Sequence, residues 1–321
     1  MTTKKAVSWF LTEQGRNFSF AVITGTSITL TAARYLPNTF FIQKYKEFVH
    51  YYKNGTPVEL PKELLNRYNK CLDLLNVADA HRKLIQPFSV FGFDLFHAGS
   101  TSSKFGTLVG IPCNFMFKTL EDVKECNIEV NHKPIDVSTV AGEKLGNALI
   151  LSEGAQEFAI CREILMTQNK KIMFESAYPF ISIFAVYNMG CFFNRRFNLY
   201  AAPTALRGTM YTILGFFGAG LYFLMKDVTQ VHYEVQVDQK LAELGPEYVK
   251  NGVEFYEKIL KRNQALRELM GKEGESKYTK LGNENYGLRQ PHVALVHRKK
   301  FFEEKLKIKK KLQKPETSDS D

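Results

Sequence analysis

Three stretches of the chain run without a charge for the length of a membrane crossing, and elsewhere apolar residues recur at helical or alternating spacing. Seventeen uncharged residues separate Arg16 from Arg34, nineteen separate Glu175 from Arg195, and eighteen separate Arg207 from Lys226. At about 1.5 Å of rise per residue each can cross a bilayer, although the first is short and rich in Ser and Thr. The second and third are neighbours, joined by a loop carrying Arg195, Arg196 and Arg207, and read as a transmembrane hairpin. The first lacks the alanine-type cleavage site of a secretory signal and is expected to stay as an anchor.

Outside these stretches the first half of the chain reads as helix from Pro61 to about Lys83, then as strands. FGTLVGIPCNFMF and NIEVNHKPIDV have strand character, the second with Asn131 at a turn, and GNALILS is a further short apolar strand. Ser152 is placed to cap a following helix with Glu153 in its first turn. On that helix Phe158, Ala159, Arg162 and Met166 share one face, apolar except for the arginine. After the third uncharged stretch, VTQVHYEVQVDQKLAEL puts Glu234 and Asp238 at i and i+4. A Gly245-Pro246 break follows, then the amphipathic helix GVEFYEKILKRNQALRELM, then the loop-like GKEGESKYTKLGNENYGLRQPH. The end, KPETSDSD, is too poor in apolar residues to fold.

Charge orients the spans. Lys4, Lys5 and Arg16 precede the first span and the arginine loop joins the other two, so both short basic regions face the cytoplasm or a mitochondrial matrix. The expected order is an N-terminal segment 1–16, span 17–34, an α+β half 35–175, span 176–194, a basic loop 195–207, span 208–225, a helical half 226–306 and a basic, then acidic, disordered tail 307–321. The fold class is an α+β membrane protein, mostly helical with a small β-sheet, its extramembrane domain split by the hairpin. Gly208, Thr212, Gly215 and Ala219 line one face of the third span, where small residues allow close helix packing against the second.

The net charge of +10 changes this picture little. Arg298 to Lys314 holds nine Lys or Arg against two Glu, so most of the excess belongs to one segment, read as a solvated tail ahead of an anionic-lipid contact. No aromatic-rich basic motif points to nucleic acid. The mean hydropathy of −0.22 makes the membrane part a minority. Five scattered cysteines form no CxxC pair and read as ordinary thiols, not a disulfide framework or a zinc ribbon. Three spans without an internal charge offer a solute carrier no path.

The segments GVEFYEKILKRNQALRELMGKEGESKYTKLGN, VGIPCNF and AGEKLGNALILSEGAQEFAICREI resemble blocks of the transmembrane protein 177 family, and with the three spans the likeness covers most of residues 10–300. The resemblance implies a multi-pass protein of the mitochondrial inner membrane, its bulk in the intermembrane space, that assists cytochrome c oxidase assembly. Its partners would be newly made oxidase subunit II, that subunit's membrane chaperone and copper-delivery factors. The resemblance brings no catalytic residue, cofactor or metal.

A weaker likeness is to membrane-linked zinc peptidases of the gluzincin type. These place HExxH on one helix and ExxxD on a later one, with zinc held by the two His and the later Glu. Here REILM stands at the first motif and EVQVD, Glu234 to Asp238, at the second, while QPHVALVHR resembles a late His-Pro segment in altered form. Arg162 and Met166 replace both histidines, and none of the seven histidines falls at a ligand position. Two readings stay open. Glu163, Glu234 and Asp238 are solvent-facing helix charges, or the domain is a pseudo-gluzincin in which Arg162 replaces the lost metal and pairs with Glu234 or Asp238. A non-catalytic membrane scaffold is the expected function, with a gluzincin-type metallopeptidase as the alternative.

Overall fold

The computed structural model describes residues 9–313 apart from Asn127 and His132; Lys4, Lys5 and the KPETSDSD end lie outside the described residues. In chain order the elements are α1 (Glu13–Tyr35), α2 (Ile42–Val49), the hairpin strands β1 (Tyr52–Lys53) and β2 (Thr56–Pro57), α3 (Lys62–Leu74), α4 (Asp79–Arg82), β3 (Ile85–Val90), β4 (Phe96–Gly99), β5 (Thr107–Pro112) and α5 (Leu120–Glu125). There follow β6 (Glu129–Val130), β7 (Lys133–Pro134), α6 (Val140–Leu149), α7 (Glu153–Thr167), α8 (Lys171–Arg196), α9 (Thr204–Glu243), α10 (Pro246–Met270), α11 (Lys272–Lys277) and α12 (Leu295–Gln313). The protein is mostly helical with a small sheet. It divides into two units, one from the residues up to Asn38 with Lys170–Thr229, the other from Thr39–Asn169 with the residues from Gln230 onward.

The first unit holds α1, α8 and the first part of α9. α8 and α9 are long and apolar enough to cross a membrane. Their apolar side chains point outward, Phe216 at 76% exposure and Ile213 at 62%, which suits lipid as the surrounding solvent and not water. α1 is a helix of 23 residues bearing exposed Phe18, Val22 and Ile28. It runs antiparallel to α8, since Arg34 near its end meets Glu175 near the start of α8, while Phe20 packs on Phe184 and Tyr187 with centroids 6.2 Å apart.

The small-residue face of α9 is not the face that meets α8. The contact is made by Tyr211, Leu214 and Gly218: Asn194 Nδ2 donates to the Tyr211 hydroxyl at 2.7 Å, Leu214 lies by Gly190, and Ser182 Oγ donates to the Gly218 carbonyl at 2.7 Å. A Cβ at Gly218 would collide with Val186, whereas one at Gly208 or Gly215 would meet nothing within 4 Å. At about 100° per residue the predicted stripe points well to one side of this contact, because the large Tyr211 and Leu214 dictate which way the helix turns.

The second unit is built around α7. The sheet order is β3-β5-β4, with β3 parallel and β4 antiparallel to a wholly buried β5. α7 packs on this sheet and is buried on nearly every side, so its sequence shows little amphipathic bias. Ser152 caps it as its spacing predicts, accepting from the Ala155 amide at 3.2 Å. Fully buried Phe158 touches the rings of Phe255, Tyr256 and Phe302, tying α7 to α10 and α12. Gly252 of α10 allows this approach, since a Cβ there would sit 2.7 Å from the Phe158 ring. Gly245, at φ 141°, breaks the chain before Pro246 starts α10. Asn131 at φ 53° makes the turn between β6 and β7.

Two further expectations are corrected. GNALILS is largely helical, the end of α6: Thr139 caps that helix by accepting from Gly142, and Leu145, Ala148 and Leu149 are buried at i, i+3 and i+4. Its apolar run is a helix face, and the backbone becomes extended only at Ile150. The basic segment is no loose tail from residue 307, because α12 continues to Gln313. Phe302 is fully buried and Lys309 Nζ donates to the Ala242 carbonyl at 2.7 Å, so the helix is anchored on one face while Lys300, Lys305 and Lys307 are exposed.

Candidate functional site

The three candidate carboxylates lie inside the second unit. Glu163 of α7 is 2% exposed, and Glu234 and Asp238 of α9 are 1% and 5% exposed, which removes the reading of them as solvent-facing charges. Ionised carboxylates buried this far need both charge and donors around them. The structure supplies them from six separate segments.

Asp238 is held by Arg298 of α12, whose Nε and Nη2 donate to its two oxygens at 2.7 Å each. The Tyr256 hydroxyl donates to Asp238 Oδ1 at 2.9 Å, and the guanidinium carbon sits 4.8 Å over the Tyr256 ring. Arg298 Nη1 also lies 3.7 Å from Glu234 Oε2. Glu234 Oε1 accepts from Gln230 Nε2 and His292 Nδ1, both at 2.6 Å, and Oε2 accepts from the Val293 amide at 2.9 Å. Glu163 accepts from His97 Nδ1 of edge strand β4 at 2.6 Å and from Arg162 Nη1 at 2.7 Å. All six carboxylate oxygens are thus occupied.

Arg162 therefore does not pair with Glu234 or Asp238. It bonds its sequence neighbour Glu163, its Nε finds no acceptor, and its side chain keeps 18% exposure. Its field still reaches Glu234. Burial alone would raise the Glu234 carboxyl, but the His292 hydrogen bond and the Arg298 and Arg162 guanidiniums overcome it and hold the pKa at about 2. Burial works against the charge of Arg298 too, yet Tyr256, Asp238 and Glu234 together raise its pKa. Because Glu234 is a carboxylate, His292 must carry its proton on Nδ1 to donate to it.

The arrangement works as an ionic lock. Three carboxylates face two guanidiniums and two imidazoles, and no group of three His, Cys, Asp or Glu among the described residues is placed to hold a metal ion. Met166 is core, buried with Phe158 and Ile164. Sequence reasoning brought Arg162, Glu163, Glu234 and Asp238 to one cluster but missed His97, His292 and Arg298. The signal for the last two lay in QPHVALVHR, which carries both. The cysteines are free, with Cys113 in hydrogen-bond contact with half-buried Cys126, whose thiol is lowered to about 6 by that bond first and by Tyr51 and Lys53 after it.

Comparison with known proteins places the chain in a lineage. The family profile described as Transmembrane protein 177 matches residues 10–299. The chain is 31% identical over 281 residues to Transmembrane protein 177 of Xenopus laevis, covering 86% of this chain and 89% of that one. It is 30% identical over 233 residues to the proteins of that name from Rattus norvegicus and Homo sapiens, covering 73% of this chain and 74% of each relative. No solved structure matches.

If Arg298 is the main counter-charge, Arg298→Met should destabilise the extramembrane unit by roughly 3–5 kcal/mol, by leaving two buried carboxylates without their guanidinium. Arg162→Ala should cost about 1–3 kcal/mol, since Glu163 keeps His97. Denaturant titration followed by the unit's helical signal measures both, and equal losses would reject the ranking. Acid should weaken the lock. The Glu234 pKa is lower in the folded than in the unfolded chain, so its stabilisation is complete above the unfolded value near 4.5 and is lost as pH falls toward about 2. The shift corresponds to about 3 kcal/mol. Glu234→Gln should flatten the stability profile between pH 4.5 and 2, and an unchanged slope would remove Glu234 as its source.

Proposed function

The chain belongs to the transmembrane protein 177 family, and we propose that it is a non-catalytic scaffold of the mitochondrial inner membrane that helps stabilise newly made cytochrome c oxidase subunit II. In this reading it works with that subunit's membrane chaperone and with copper-delivery factors. The partner assignment rests on the family resemblance of GVEFYEKILKRNQALRELM and its companion blocks. The non-catalytic assignment rests on one observation: every oxygen of Glu163, Glu234 and Asp238 already receives a donor. A gluzincin-type peptidase needs such carboxylates free to hold a cation and to activate water. Here Arg298 supplies the positive charge, and the domain reads as a peptidase-like scaffold whose two acidic helices have been turned to structural use.

In the same proposal α1 is a third span beside α8 and α9. The N-terminal segment and the 195–207 loop lie in the matrix, and residues 35–175 and 226–321 face the intermembrane space. Arg195, Arg196 and Arg207 in one short loop support that orientation. Protease added to mitochondria with ruptured outer membranes should then degrade both extramembrane halves, and a protected fragment from either would reject the topology. Loss of the protein should shorten the lifetime of pulse-labelled subunit II without stopping its synthesis. Unchanged turnover in cells lacking the protein would remove the assembly reading.

A further inference from the structure

The first unit has a half-open cavity of about 1160 Å³ among α1, α8 and α9. Its wall on α9 includes Gly208, Gly215 and Ala219, the small residues that were expected to seat a helix. Their lack of bulk leaves the space open. Ile23 and Leu30 of α1 and Ile183 and Val186 of α8 make the rest largely apolar.

One end of the cavity is strongly basic. Arg16, Arg195 and Arg207, one from each helix, line it. The antiparallel packing of α1 on α8 and the Asn194–Tyr211 bond between α8 and α9 bring these three to the same end. Tyr200, from the loop between Arg195 and Arg207, lines the cavity with them. No acidic residue lines the cavity, and none of the three arginines forms an ion pair among the described residues. Arg207 Nε is buried without a hydrogen-bond partner. Arg34, at the other end, has Glu175.

Two of these arginines are placed against their own helices. Arg16 follows closely on the start of α1 at Glu13, and Arg207 lies in the first turn of α9, which has no acidic residue there. Both are near positive helix ends, where a further cation is unfavourable and an anion is favoured. A topology signal explains basic residues in the loop, but it does not explain their convergence on an apolar cavity or a buried guanidinium nitrogen left without an acceptor.

We propose that this cavity binds one anionic phospholipid, its phosphate held by Arg16, Arg195 and Arg207 and an acyl chain lying along Gly208, Gly215 and Ala219. Charge complementarity names the headgroup, and the apolar length of the cavity between membrane-spanning helices names the chain. The site is independent of the extramembrane charge lock and of any protein partner.

The test uses the full chain purified in a zwitterionic detergent and titrated with phosphatidylglycerol, phosphatidylcholine or inorganic phosphate, with bound lipid counted by native mass spectrometry. Phosphatidylglycerol should be retained one to one and phosphatidylcholine should not, and phosphate at equal concentration should not displace the lipid. Arg16→Gln and Arg207→Gln should each weaken retention about fivefold. Gly215→Leu should weaken it at least as much with no change of charge, since Gly215 lines the cavity and a Cβ there meets no atom within 4 Å. Arg196→Gln is the control, because Arg196 shares the loop but does not line the cavity. An Arg196→Gln loss equal to that of Arg207→Gln would reduce the effect to general electrostatics and overturn the proposal. Equal retention of phosphatidylcholine would overturn it too, as would displacement by phosphate with no effect of Gly215→Leu. Should an arginine variant fail to fold, as judged by its helical signal, Gly215→Leu against Arg196→Gln still decides the matter.

Discussion

Three carboxylates are buried in one helical core, and the second unit is arranged to neutralise them. Two belong to α9 and one to α7, and although Gln230 and Arg162 serve from the same helices, every one of the three also takes a donor from elsewhere in the fold. Arg298 answers for both acids of α9, and this fixes where α12 begins and how it lies against α10. The segment before it is fixed by the same need, because Glu234 takes the His292 imidazole and the Val293 amide together. His97 fixes β4 against α7 in the same way. The hydrophobic contacts of Phe158 and Phe302 provide non-directional adhesion, while the ion pairs choose which of many compact arrangements is adopted.

Local signals in the sequence were legible where they depend on neighbours in the chain. The Ser152 cap, the Gly245-Pro246 break, the Asn131 turn and the long apolar helices α8 and α9 all fall where their residues indicate. The carboxylates could also be singled out, since their i, i+4 spacing is a local property. Their partners could not. Arg298 is separated from Asp238 by 60 residues, His292 from Glu234 by 58 and His97 from Glu163 by 66. Arg298 was hidden further by its position at the head of a basic run, where composition argues for solvent and only tertiary structure shows burial. GNALILS failed for a related reason: a short apolar run carries no reliable period, and the Thr139 cap that commits it to helix lies several residues upstream.

The stripe of Gly208, Thr212, Gly215 and Ala219 shows a different limit. Small residues permit close approach, but they do not compel it. Which face of a helix is used depends on the bulky residues that must also be accommodated, here Tyr211 and Leu214. When such a stripe is turned from its neighbour it becomes a shallow wall, and the space it leaves has to be filled by something of the surrounding solvent.

The two units handle arginine in opposite ways, and the contrast bears on what each is for. In the second unit the Arg162 and Arg298 guanidiniums each have a carboxylate against them, so their charge is neutralised internally and the pairs hold the chain together. At one end of the first unit three arginines converge with no carboxylate among the cavity residues. A chain able to place Arg298 within 2.7 Å of both oxygens of a buried aspartate can position an acid where one is needed. In the first unit Glu175 is so placed against Arg34, at the far end from these three. Leaving Arg16, Arg195 and Arg207 without such a partner keeps their combined field directed into a largely apolar cavity. A guanidinium cluster of that kind is complete only when an anion from outside the chain supplies the missing charge.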